Sequence, residues 1–252
     1  MKLKQELEKI YGFYNTRKWV HPDPLEFLYL YPDPRDMEIV GLIASSLAYG
    51  RVAQILKSVS SVLSHMGESP SEYLKKIHKR SLYAALGGFK HRFTNSENIV
   101  SMLLGIKNVI KKYGSLHSCF MEGMKANDVT IIPALSFLVK ELRLSAESCP
   151  GCLLPFPGNG SACKKLNLFL RWMVRKDEVD PGCWEGISPS MLIVPLDTHM
   201  HRVSLKLGLT ERKSGDIRTA LEITEGFKKI APEDPVKYDF ALTRPGIRKD
   251  RM

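Results

Sequence analysis

At 252 residues, 44% hydrophobic and 25% charged, the chain has the composition of a soluble globular protein and can bury a sizeable core in one large domain or two small lobes. Lys and Arg outnumber Asp and Glu by 37 to 27; the formal charge of +10 suits a polyanionic partner, and it also suits a merely basic proteome. No apolar run approaches the ~18 residues of a membrane span, and the charged opening MKLKQELEKIYGFY does not read as a secretory signal. The expected setting is therefore cytoplasmic, with reduced thiols and no membrane partner.

Helical periodicity recurs throughout and strand signals are scarce, so the predicted class is all-α. The first helix has Leu3, Leu7, Ile10 and Tyr14 at helical spacing. The segment HPDPLEFLYLYPDPRD, with four prolines, reads as an irregular strap between lobes. Asp36 is expected to cap MEIVGLIASSLAYG, which Gly50 would end, and RVAQILKSVSSVLSHMG follows as an amphipathic helix. SPSEYLKKIHKR and SLYAALGGFKHRF are short elements, the first opened by Pro70 and the second interrupted by Gly87 and Gly88.

Thr94 and Glu97 have capping-box spacing before a helix through NIVSMLLGIKNVIKKYG that stops at Gly114. SLHSCFMEGM is another short helix, and Asp128 would open TIIPALSFLVKELR, with Pro133 tolerable in the first turn or at a kink. A long loop from Arg143 to Ser161 contains the CPGC tetrad of Cys149 and Cys152. Ser161 is the expected N-cap of ACKKLNLFLRWMVR, and Asp197 that of THMHRVSLKLG, ending at Gly208. A helix from about Asp216 to Ile230 and a last one starting at Pro235 complete the chain.

Two helix starts carry candidate chemistry. A lysine amine is a nucleophile only when deprotonated, which burial or nearby positive potential promotes. Lys164, in the first turn of its helix with Lys165 beside it, meets the positive end of the helix dipole; two lysines at a helix start are more commonly solvated or hold a phosphate. Asp197 is a preferred cap type, and its approach through IVPL would hold a rigid carboxylate able to stabilise a developing cation.

His199 and His201, two apart on a helix, point to different sides and do not make a metal pair. The tetrad could take zinc or cycle redox with Cys163 and Cys183, but lacks a second CxxC; inert loop cysteines are the simpler account. Basic and aromatic residues interleave at Tyr49 with Arg51, at FKHRF (89–93), and at Trp172 with Arg171 and Arg175, as a nucleic-acid surface requires. Trp172 and Phe169 lie within an apolar helix and also suit the core.

Residues 195–208, PLDTHMHRVSLKLG, resemble the catalytic-aspartate segment of the helix-hairpin-helix DNA glycosylases of the endonuclease III type. Upstream, FPGNG followed by a helix bearing Lys164 and, three residues on, Asn167 resembles that family's hairpin and nucleophile helix. EIVGLIASSLAYGR is similar to the opening of its six-helix barrel, and GFKHRFTNSENIVSMLLGIKNVIKKYG to a later barrel segment. Most of residues 36–247 also resemble an uncharacterised bacterial and archaeal family marked by GSACK, LNLFLRWMVR, PLDTH and DPVKYDFAL.

The glycosylase resemblance implies a single globular unit (1–252) of two helical lobes, 36–160 as barrel and 1–35 with 161–252 as the second, with a helix-hairpin-helix-like element and an interlobe cleft. It implies base-excision glycosylase and lyase activity through a lysine Schiff base, on double-stranded DNA with a damaged base; an oxidised purine such as 8-oxoguanine is a candidate lesion. Lys164, or Lys165 as the alternative, would attack, and Asp197 would stabilise the sugar cation. Gly158, Gly160 and Ser161 would hold a phosphate, Arg51, Arg202 and His199 would contact DNA, and Tyr49 and Asn167 would line the pocket. No cofactor or metal and a monomeric state are implied.

The pattern departs from endonuclease III. The lysine follows the second glycine of FPGNG by four residues, and Asp197 follows Lys164 by 33, a separation closer to that of the archaeal 8-oxoguanine glycosylases. No cysteine-rich segment follows the last helix, which argues against an iron–sulfur cluster. The alternative function is a non-catalytic helix-hairpin-helix nucleic-acid-binding protein.

Overall fold

The computed structural model describes residues 2–144 and 150–249. In chain order its helices are α1 Lys2–Tyr14, α2 Pro34–Ser46, α3 Val52–Leu63, α4 Pro70–Lys76, α5 Lys79–Leu86, α6 Ser96–Tyr113, α7 Leu116–Glu122, α8 Ile132–Leu144, α9 Lys164–Val174, α10 Thr198–Lys206, α11 Ile217–Lys228 and α12 Asp239–Lys249. The fold is all-α; the one sheet among the described residues is a hairpin of β1 Lys90–His91 and β2 Thr94–Asn95. No helix there is long and apolar enough to cross a membrane.

The chain divides into two compact units, a central one of Pro22–Asn159 and a terminal one of Met1–His21 with Gly160–Met252. In the central unit α2 is buried from Asp36 to Ser46, because α3, α4, α7 and a 3-10 helix at Pro24–Leu30 all pack on it. Helix α6 packs on α4, α5, α7 and α8. The buried Glu38 carboxylate reaches from α2 to accept the first amides of α7, Leu116 N at 2.7 Å and His117 N at 2.9 Å; an anion there also meets the favourable end of the helix dipole. In the terminal unit α1 and α10 both pack on α12.

Several expectations change at element ends. The proline-rich strap is not irregular, and it belongs to the central unit, so the boundary lies at residue 22 rather than 36. Asp23 accepts from Leu25 N at 3.0 Å, Pro24 begins a 3-10 helix, and Leu25 and Leu28 are fully buried. Asp36 is not the cap of α2: Pro34 fixes the first turn, and Asp33 caps it through Arg35 N at 2.8 Å. Asp36 is buried instead, accepting from Ser71 N (2.7 Å) and Ser69 Oγ (3.1 Å).

The capping box of α6 lies one residue later than Thr94 and Glu97. Asn95 and Asn98 exchange side-chain and backbone bonds at 3.0 and 3.1 Å, while Thr94 is engaged in the hairpin. Asp128 closes a turn by accepting from Lys125 N, and α8 begins at Ile132 with Pro133 in its first turn. The last helix starts at Asp239 rather than Pro235, which sits in the turn before it. The tetrad's Cys149 lies outside the described residues.

Candidate functional site

The site begins with a buried extended run. Leu192–Leu196 are buried, and Val194 N donates to Thr224 Oγ1 on α11 at 3.1 Å, which anchors the approach to α10. Asp197 ends the run as the N-cap of α10, its Oδ1 accepting from Met200 N at 2.8 Å. That bond fixes the carboxylate's orientation. Its other oxygen, Oδ2, lies 3.2 Å from the Lys164 amine, with the two side chains 20% and 33% exposed respectively. Of the two candidate lysines, Lys164 is the one paired with Asp197; Lys165 is half-buried at the next position.

Ser161 does not cap α9, which starts three residues later. Its backbone pairs with Asp216 in an isolated bridge, Ile217 N donates to Gly160 O at 3.1 Å, and its hydroxyl accepts from Cys163 N at 3.1 Å. To leave that bridge and enter the helix, the chain turns through a left-handed residue, Cys163 (φ 47°). A non-glycine there costs about 1 kcal/mol, and α9 is left with no side-chain cap. The Cys163 thiol is buried, which raises its pKa. Before that bridge, residues 150–160 make single 3-10 turns at Gly151–Leu153 and, within PFPGNG itself, at Pro157–Asn159.

Further along α9 is a buried ionic cluster that sequence reasoning missed. Arg171 Nε and Nη2 both donate to Asp180 Oδ1, at 3.2 and 3.0 Å, and Nη1 donates to Asp239 Oδ2. Arg175 pairs with Asp177 and Asp234 at 2.8 Å each and with Asp180. Tyr11 of α1 adds its hydroxyl to Asp177 at 3.0 Å. Arg171, Arg175, Asp180 and Asp239 are each no more than 5% exposed.

Two guanidiniums thus face four carboxylates in a region from which water is largely removed. Burial pushes the Asp239 carboxyl up to about 6; Arg171 opposes this and the charge of Asp197 adds to it. Burial likewise raises Asp180.

The family described as "Protein of unknown function (DUF2400)" matches residues 23–248. The chain belongs to that family. No curated protein and no solved structure matches it. The DUF2400 match takes in Lys164, Asp197 and every charged member of the buried cluster.

The other predicted site residues in this DUF2400 chain stand as follows. Gly160 (φ 76°) and Ser161 are exposed at the run-up to α9; Gly158 is exposed at the end of the central unit. Arg202 is exposed and His199 half-buried on α10, while His201 Nε2 meets Arg212 O at 2.8 Å. Asn167 is 2% exposed and its amide donates to Ala162 O at 2.9 Å, so it braces the turn into α9 instead of lining an open pocket.

Tyr49 and Arg51 belong to the central unit. The Tyr49 hydroxyl is committed to the hairpin, through His91 O (3.0 Å) and Thr94 Oγ1 (2.6 Å), and Arg51 is exposed before α3. Trp172, Arg171 and Arg175 are buried and face no ligand surface. Among the described residues no group of three His, Cys, Asp or Glu side chains is arranged to hold a metal.

Proposed function

We propose that the protein is a DNA base-excision glycosylase with lyase activity, and that Lys164 and Asp197 carry its chemistry. The observation that supports this is the Lys164–Asp197 pair: an amine on the first turn of one helix, 3.2 Å from a carboxylate that a backbone amide holds in place at the start of another, both partly open to solvent. A fixed anion can stabilise the oxocarbenium-like sugar as the C1′–N bond breaks and the base departs with the bonding electrons. The Lys164 ammonium gives one proton to the departing base anion and its nitrogen adds at C1′; a second proton from that nitrogen goes to O4′ as the ring C–O bond breaks to give the Schiff base, and loss of the C2′ proton then expels the 3′ phosphate by β-elimination. The basic chain and the uncapped first turn of α9 suit a phosphodiester backbone. A damaged base, an oxidised purine such as 8-oxoguanine among the candidates, costs less to unstack and flip than an intact one.

Borohydride trapping on duplexes bearing an abasic site or 8-oxoguanine tests the proposal. The expected result is a covalent adduct with the wild-type chain that Lys164→Gln abolishes and Lys165→Gln retains. Salt-sensitive binding without any adduct would instead favour a non-catalytic nucleic-acid-binding protein. Adduct formation by both variants would move the nucleophile elsewhere.

A further inference from the structure

The β1–β2 hairpin of the central unit displays a large apolar ring in water. The register pairs Lys90 with Asn95 and His91 with Thr94, leaving Arg92 and Phe93 as a two-residue tip. Phe93 is 80% exposed, whereas His91 and Thr94 beneath it are buried. The base of the hairpin is held from both sides. The Tyr49 hydroxyl binds His91 O and Thr94 Oγ1, and the His91 ring bridges Ser58 Oγ at 2.9 Å and Tyr49 O at 3.0 Å.

The tip itself is fixed at a cost. Arg92 adopts a left-handed backbone (φ 51°) where glycine or asparagine would be the easy residue, a strain of about 1 kcal/mol. Its side chain lies against Gly50, where an added Cβ would come within 2.7 Å of Arg92 Cδ, and its guanidinium covers the Phe93 ring at 5.4 Å. Gly50 is itself left-handed (φ 97°), so the close approach uses the one residue type that tolerates both demands.

The result is a ring with one face covered by a cation and the rest open; the exposed Lys90 lies in the adjoining strand, and the exposed Arg51 follows the Gly50 against which Arg92 lies. The segment FKHRFTN contains no acid. A ring that must slide between two stacked bases needs both faces; a ring with one face occupied can stack on one unpaired base. Cations around it fit the phosphates on either side of that base.

We infer that the Arg92–Phe93 tip is a nucleic-acid contact site in its own right, on which an unpaired base stacks against the open face of Phe93 while Arg51, Lys90 and Arg92 take the flanking phosphates. The site rests on the nucleic-acid reading above but uses none of the residues proposed for glycosidic chemistry; Arg51 serves here as a phosphate contact.

The test uses the full chain with single-stranded oligonucleotides carrying one 2-aminopurine, and with the same strand in a duplex. Binding to the single strand is expected to quench the probe when it occupies the stacked position. Phe93→Ala should weaken that binding roughly tenfold and abolish the quench, and Phe93→Trp should restore both. Because Phe93 is exposed, the thermal midpoint of the Ala variant should match the wild type, which separates lost contact from lost fold.

Unchanged affinity and quench in Phe93→Ala, with wild-type binding intact, would overturn the stacking site and leave the Lys164–Asp197 proposal standing. Enhanced emission in the duplex, lost in Phe93→Ala, would mean that the ring wedges between paired bases and would overturn one-faced stacking. Absence of binding to either strand form would overturn this site, and adduct trapping would then decide the glycosylase reading separately.

Discussion

Lys164 and Arg171 stand seven residues apart on α9, about two turns along one face, yet their surroundings differ sharply. Lys164 is one-third exposed and meets a single carboxylate, Asp197. Arg171 is 3% exposed and binds two carboxylates, Asp180 and Asp239; one turn on, Arg175 is 4% exposed and binds three. A buried ion pair repays its desolvation only when nearly all its donors and acceptors are satisfied, as these guanidiniums are. The Lys164 pair gives up less water and gains less. The buried end of α9 therefore behaves as a clamp joining α9, the loop of Asp177 and Asp180, and the start of α12, while the exposed end carries the pair that the proposed chemistry uses.

The strongest way to break the contrast is Arg171→Met. It leaves Asp180 and Asp239 buried without their shared cation, and should lower stability by about 3–5 kcal/mol, seen as a large fall in the urea midpoint. A cost below about 1 kcal/mol would mean that the cluster is not the clamp.

Asp239→Asn probes the cluster more gently. The wild-type carboxyl titrates at about 6 in the folded chain, above its ordinary value of about 3.9, so the folded state holds more protons between those two pH values. Its contribution is therefore fully present below about pH 4 and is lost as pH rises through about 6. Relative to the Asn variant, the wild type should lose roughly 2–3 kcal/mol between pH 4 and 7, measured by denaturation at each pH. A flat difference between the two would show that Asp239 is not the group titrating.

The helices were legible because their signals are local. Gly114 (φ 86°) stops α6 and Gly208 (φ 67°) follows α10, and Asp197 and Asp216 cap as their positions suggest. Two of the differences at helix starts arise where nearby residues could both cap and a neighbour decides: Pro34 selects Asp33 over Asp36, and the hairpin takes up Thr94 while Asn95 caps. The hairpin escaped notice because each strand has two residues, too short for alternation to show. The buried cluster was hidden for a different reason. Arg171 and Arg175 beside Trp172 read locally as a nucleic-acid face, and two of the carboxylates they pair with, Asp239 and Asp234, lie 68 and 59 residues away. The Lys164–Asp197 pair spans 33 residues, and only the family resemblance, no local rule, brings the two together from sequence.

The finest test of the contrast is a double-mutant cycle on the exposed pair. Asp197→Asn keeps a side-chain oxygen able to cap α10, so it removes the charge while sparing the Met200 amide bond; Lys164→Gln removes the matching cation. Each single change is expected to cost under about 1 kcal/mol, and the coupling should fall near 0.2–1 kcal/mol, the range of exposed ion pairs, and shrink in high salt. Adduct trapping, by contrast, should be lost in Lys164→Gln and sharply reduced in Asp197→Asn. A pair whose removal leaves the fold nearly untouched but abolishes trapping is held for chemistry. If the cycle instead returned a coupling above 2 kcal/mol with no change in trapping, Lys164–Asp197 would be a structural strut like the cluster behind it.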